Sequence, residues 1–63
     1  MNRPEAHYID AGYKYERLSV PANRIKRAKE LQALIKTETP ENQPLARALI
    51  QRGRKEFQLH AKG

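Results

Sequence analysis

The stretch Leu45-Ala46-Arg47-Ala48-Leu49-Ile50-Gln51-Arg52-Gly53-Arg54-Lys55-Glu56-Phe57 decides the fold class. Its small and apolar positions, Leu45, Ala46, Leu49, Ile50, Gly53 and Phe57, recur every three or four residues, which lines them up on one face of an α-helix. Arg47, Gln51, Arg54, Lys55 and Gln58 fall on the opposite side. Gly53 sits in mid-stripe, where a glycine either ends the helix or lets another helix approach closely. Because Arg54, Lys55 and Phe57 continue the pattern without a slip, a helix is expected over residues 43–58.

Working back from Leu45, the run Thr37-Glu38-Thr39-Pro40-Glu41-Asn42-Gln43-Pro44 is a polar break holding two prolines. A cap at Thr39 would put Pro44 where an intrahelical amide is needed. Asn42 as the cap, with Pro44 in the first turn and a short turn before it, avoids that conflict.

A second helical pattern precedes the break. Ile25, Ala28, Leu31, Leu34 and Ile35 fall within one half of a helical wheel, and Lys26, Lys29, Glu30 and Lys36 lie opposite. Arg24 and Arg27 fall on the apolar side, where their stems must lie along it and their heads reach out. Ser19-Val20-Pro21 reads as the start, with Ser19 as cap and proline in the first turn. The expected helix covers residues 20–36.

Residues 1–19 show no sustained period. Pro4 and Gly12 interrupt them, and Tyr8, Ile9, Tyr13, Tyr15 and Leu18 are irregularly spaced. They read as an arm that lays its tyrosines on the helices or frays.

The architecture expected from these elements is all-α: a two-helix hairpin in a single domain over residues 1–63, with an irregular N-terminal arm. A chain of 63 residues buries too little surface to be comfortably stable alone, and with no cysteine it has neither disulfides nor thiolate metal sites. Pairing of two hairpins into a four-helix bundle would bury both stripes. The expected dimer core is Ile25, Ala28, Leu31, Leu34, Ile35, Leu45, Leu49, Ile50, Gly53 and Phe57.

The net charge of +6 is unevenly placed. Residues 21–36 and 44–63 each carry five Lys or Arg against one Glu, while residues 1–20 balance. Two basic clusters result, Arg24, Lys26, Arg27 and Lys29 on one helix and Arg47, Arg52, Arg54 and Lys55 on the other. With Tyr8, Tyr13 and Tyr15 they are the candidate contacts to a partner. The bland reading is that they are the solvated faces of a small bundle. As a nucleic-acid surface they would touch phosphates and bind in a salt-dependent way. Against that, the helix connection is longer than that of a helix-turn-helix, no third supporting helix is read, and no aromatic platform lies on the helices.

No catalytic constellation is visible. The chain has no nucleophile elbow, no glycine-rich phosphate loop and no histidine pair at i, i+4; His7 and His60 lie far apart. Asp10 and Glu16 are the nearest approach to paired carboxylates and read as solvated charges. No cofactor or metal is expected. No apolar run reaches the roughly 18 residues of a membrane span, and Met1-Asn2-Arg3-Pro4-Glu5-Ala6-His7 lacks the apolar core of a signal peptide. These features predict a cytoplasmic location away from membranes.

Taken whole, the chain resembles the small early proteins encoded between the exonuclease and excisionase genes of lambdoid bacteriophages. The likeness rests on length, on Met1-Asn2-Arg3-Pro4-Glu5-Ala6, and on the runs Ile25-Lys26-Arg27-Ala28-Lys29-Glu30-Leu31 and Leu45-Ala46-Arg47-Ala48-Leu49-Ile50. That resemblance implies an early phage protein in the host cytoplasm that biases the lysis–lysogeny decision or perturbs the host cell cycle without catalysis. It carries over no site residues. The combined expectation is a homodimeric, non-enzymatic regulator that binds a host or phage protein, with nucleic-acid binding as the rival.

Overall fold

In the computed structural model, which describes residues 3–62, three helices follow one another: α1 Glu5–Arg17, α2 Pro21–Lys36 and α3 Gln43–Lys62. The fold is all-α, but it is not a two-helix hairpin. The expected arm forms a helix of its own, started after Pro4, with Glu5 in the first turn and Lys14 and Arg17 in the last. That charge order suits the helix dipole.

The helix over 20–36 starts one residue later than expected, and its cap is Val20 in an extended conformation, with no side-chain cap hydrogen bond. Ser19, expected as the cap, stands one residue before Val20 and makes no capping hydrogen bond. Between α2 and α3 the chain turns at Pro40–Asn42; the Asn42 and Gln43 amides both donate to Thr39 O, and Ala46 N donates to Asn42 O over 2.9 Å. Gln43 Nε2 adds a bond to Glu38 O at 3.2 Å. α3 then runs unbroken through Gly53 and on to Lys62, a turn past the expected end.

The contacts give the topology. Gly12 faces Ile50 and Glu16 meets Arg54, while Ile9 faces Gly53 and Tyr13 meets Phe57. Each pair advances four residues on both helices, so α1 and α3 run parallel. Arg3 reaches Thr37 beyond the end of α2, and Glu16 reaches Arg24 near its start, so α2 runs antiparallel between them. The α1–α3 seam is by far the most extensive contact, and α2 touches both partners sparingly. The Cα envelope is accordingly flat, 34 × 25 × 14 Å.

Two glycines make that seam close. A Cβ built on Gly12 would lie 2.8 Å from the Ile50 carbonyl carbon and 3.0 Å from its Cα; one built on Gly53 would lie 2.8 Å from the Ile9 carbonyl carbon and 2.9 Å from Tyr13 N. Real side chains do not approach backbone so closely, so each helix admits the other only where a side chain is missing.

The core consists of Tyr8, Leu31, Ile35, Ala46, Leu49 and Ile50, with Ile9, Ala11, Tyr15 and Leu34 packed partly buried around it. Tyr8, expected at a partner surface, is instead completely enclosed. Ile25 and Leu45, expected in the core, are 61% and 44% exposed. The cause is the extra helix: α1 occupies the seam against α3, so α2 meets the centre through Leu31 and Ile35 and leaves Ile25 at the edge. Ala28, Leu34 and Phe57 are half-buried, and Gly53 is buried.

Candidate functional site

At the end where α1 closes against the start of α2, the sequence brings together Tyr15, Glu16, Arg24, Arg54 and Gln58. Arg54 Nε donates to Glu16 Oε2 over 2.9 Å, Arg24 Nη2 lies 3.6 Å from the same oxygen, and Gln58 Nε2 donates to Oε1 at 3.3 Å. The two guanidinium carbons also sit 5.1 Å (Arg24) and 5.0 Å (Arg54) from the centre of the Tyr15 ring, within cation–π range. The hydrogen bond from Arg54 holds the Glu16 carboxyl below its ordinary value; burial opposes this, and Gln58 and Arg24 reinforce it. Glu16 is thus a fixed carboxylate, only 14% exposed at its side chain, and not the solvated charge expected of it. Asp10 is engaged separately by Lys14 at 3.0 Å in the open.

Beside that cluster a groove opens between α2 and α3. Ala28, Leu31, Ile35 and Ile50 form its floor, Gln32, Arg47, Gln51 and Arg54 its rim, and Tyr15 closes one end. Its volume is about 240 Å³, below the roughly 300–1,000 Å³ of small-molecule sites. No acidic side chain among the described residues lines it. On α3 the rim continues as Lys55 and Gln58 beside Gln51 and Arg54. By contrast, the cleft between α1 and α2 mixes Asp10 and Glu30 with Lys14 and Arg27.

The basic residues singled out in the sequence therefore separate. Arg24 and Arg54 are tied to Glu16. Arg27 pairs with Glu30 at 3.2 Å and Arg52 with Glu56 at 3.4 Å, both exposed neighbours along one helix and so weak. Lys26, Lys29, Arg47 and Lys55 are exposed and have no ion-pair partner among the described residues. Of these four, Arg47 alone lines the apolar groove.

The three tyrosines separate as well. The Tyr8 hydroxyl is buried close to Glu38 and Arg3, although neither closes a hydrogen bond of good geometry with it. Burial first, and Glu38 second, push its pKa above the ordinary 10.0, so the phenol stays neutral. Tyr13 meets Phe57 edge-on at 5.2 Å, with its hydroxyl 3.4 Å from His60 Nδ1. Tyr15 alone faces the groove. Glu16 is the residue that sequence reasoning missed; its signal was its place four residues after Gly12, on the same helical face.

Among the described residues no group of three or more His, Cys, Asp or Glu is placed to hold a metal ion, and no helix is long and apolar enough to cross a membrane. Comparison with protein-family models, with curated proteins and with solved structures finds no match for this chain.

Proposed function

We propose that this chain is a small regulatory protein that works by binding another protein rather than by catalysis. One observation carries the reading: the α2–α3 groove combines an apolar floor with a rim of arginine and amide side chains and no acid. Its volume suits protruding side chains better than a bound metabolite. The carboxylate beside the groove, Glu16, is committed to two arginines and held in its charged form, which suits a structural tie and not a proton-transferring base. The phage resemblance belongs to the same proposal: an early protein of the host cytoplasm that shifts the balance between lysis and lysogeny or disturbs the host cell cycle through such a contact.

Nucleic-acid binding is the second reading. It is favoured by the edge of α3 on which Arg47, Gln51, Arg54, Lys55 and Gln58 follow one another, and by the presence of a third helix. Two placements count against it. Arg54 is already neutralised by Glu16, and Lys26 and Lys29 lie away from that edge on the outer side of α2, so the charge does not form a single stripe. Homodimerisation remains a proposal with less to support it, because α1 now covers much of the α3 stripe. An isologous contact across the groove would also set arginine rim against arginine rim.

Expression of the wild-type chain and of Arg47→Glu in a host challenged with a lambdoid phage, scored as frequency of lysogeny, tests the reading. The wild type is expected to shift the frequency and the folded variant to lose the shift. Absence of any effect from the wild type overturns it. Steeply salt-dependent binding to duplex DNA by the wild type, abolished in the variant, would replace it with the nucleic-acid reading.

A further inference from the structure

We infer that the α2–α3 groove is a dock for an acidic amphipathic helix of a partner protein. The inference rests on the protein-binding reading above and gives the partner its chemistry.

The length fits. From Ala28 to Ile35 on one wall and from Arg47 to Arg54 on the other, the groove extends about 10 Å, or two helical turns. A helix laid along it would present apolar side chains at i, i+3 or i+4, and i+7 to the floor, the spacing by which helices dock in grooves. The floor offers Ala28 where a larger residue would fill the space, with Leu31, Ile35 and Ile50 below it. Ile25, 61% exposed, lies on the same flank of α2 one turn before Ala28 and extends the apolar track past the groove's end.

The charge gives the sign. The rim contributes the unpaired Arg47 guanidinium, the Arg54 guanidinium whose charge Glu16 balances from outside the groove, and the amides of Gln32 and Gln51, and no carboxylate lines it. A helix with carboxylates flanking its apolar stripe meets donors on both sides, whereas a basic helix or a second copy of this groove meets like charge. Arg54 is also held in place: its Nε is bound to Glu16 and its guanidinium carbon sits 5.0 Å from the centre of the Tyr15 ring, so it has little rotamer freedom to lose on binding. Arg47 is exposed and unpaired, so it is the free anchor at the other end.

The test uses the full chain and a synthetic helical peptide of about four turns with a leucine stripe and glutamate flanks. One control peptide replaces glutamate by lysine, and another scrambles the stripe. Fluorescence anisotropy gives affinity, and backbone amide shifts give the location. The acidic peptide is expected to bind and to shift Ala28, Gln32, Ile50 and Gln51. Arg47→Glu is expected to weaken it by about tenfold and Lys26→Glu, which makes the same charge change away from the groove, by about twofold or less. Both sites are exposed, and Gln51→Glu at the rim gives an independent second variant expected to match Arg47→Glu.

Equal losses for the Arg47 and Lys26 variants would mean unspecific attraction and overturn the proposal. So would equal binding of the lysine or scrambled peptide, shifts at another face, or a dimer seated on the groove. Peptide binding at the groove without any effect on lysogeny sinks the functional reading and leaves the dock standing. An effect on lysogeny that Arg47→Glu removes, with no peptide binding, does the reverse.

Discussion

Gly12 of α1 and Gly53 of α3 occupy one seam, each set against the backbone of the opposite helix at the position of Ile50 and of Ile9 with Tyr13. Neither glycine has a positive φ, so it is the missing side chain that matters and not an unusual backbone. Alanine at either site would gain about 1 kcal/mol of helix propensity. The methyl would meet backbone that cannot rotate aside, an overpacking cost of about 1–3 kcal/mol or more when main chain must move. Gly12→Ala and Gly53→Ala are each expected to be destabilising on balance, and thermal unfolding followed by circular dichroism should show a lowered Tm. An unchanged or raised Tm would mean that the helices are less closely set.

Tyr8 is enclosed on all sides, yet its hydroxyl makes no hydrogen bond of good geometry with a described residue. Its ring, not its oxygen, carries its contribution. Tyr8→Phe should alter unfolding free energy by less than about 1 kcal/mol, while Tyr8→Ala should remove about 3–5 kcal/mol, enough to unfold a domain of this size. Urea titration distinguishes the pair. A large loss in Tyr8→Phe would show that Glu38 and Arg3 hold the hydroxyl firmly.

The Glu16 carboxyl, drawn below its ordinary 4.5 chiefly by Arg54, gives the fold an acid-sensitive component. A carboxyl whose pKa is lower in the folded than in the unfolded state adds stability that is fully present above the unfolded value. That stability is lost as pH falls through the folded one. Stability should therefore decline as pH drops below about 4.5, and Glu16→Gln should flatten that part of the profile. At neutral pH the same change should cost about 1 kcal/mol, limited because both arginines remain a third exposed and solvated. A profile identical to wild type would remove Glu16 from this role.

Because α1 forms the principal seam with α3, residues 19–63 should not fold without it. The shortened chain is expected to lose most of its helicity and any cooperative thermal transition, whereas removal of a mere arm would leave both intact. Circular dichroism at several protein concentrations checks this and excludes rescue by self-association.

Much of α2 and α3 was legible in the sequence because their stripes are continuous: Leu31 with Ile35, and Ala46 with Leu49 and Ile50, follow the helical period and form the core. α1 was not legible as a helix, for a definite reason. Its inward face reads Tyr8, Gly12, Glu16, with Ile9 and Tyr13 beside it, so the position closest to α3 bears no side chain and the next one bears a charge. A search for apolar period finds a gap where the packing is tightest. The start at Pro4-Glu5 and the basic last turn at Lys14 and Arg17 were the signals present. Losing α1 displaced the rest: Tyr8 was sent to the surface, and Ile25 and Leu45 to a dimer core. The groove was hidden for a different reason. Its walls lie on separate helices, and only the arrangement of α2 beside the α1–α3 pair brings Ala28 and Arg47 to one groove.

The parallel seam also bears on how the chain comes to be folded. α1 finds its partner in α3, with all of α2 and the Pro40 turn between them, so α1 meets its principal contact only once α3 has been made. The contacts available earlier, between α1 and α2, are sparse. Closing the seam means bringing together segments about 41 residues apart, with a loop-closure cost to match, and folding should be slower than in a helical bundle whose contacts are mostly local. The two glycines would then act at the last step, when the finished third helix settles beside the first.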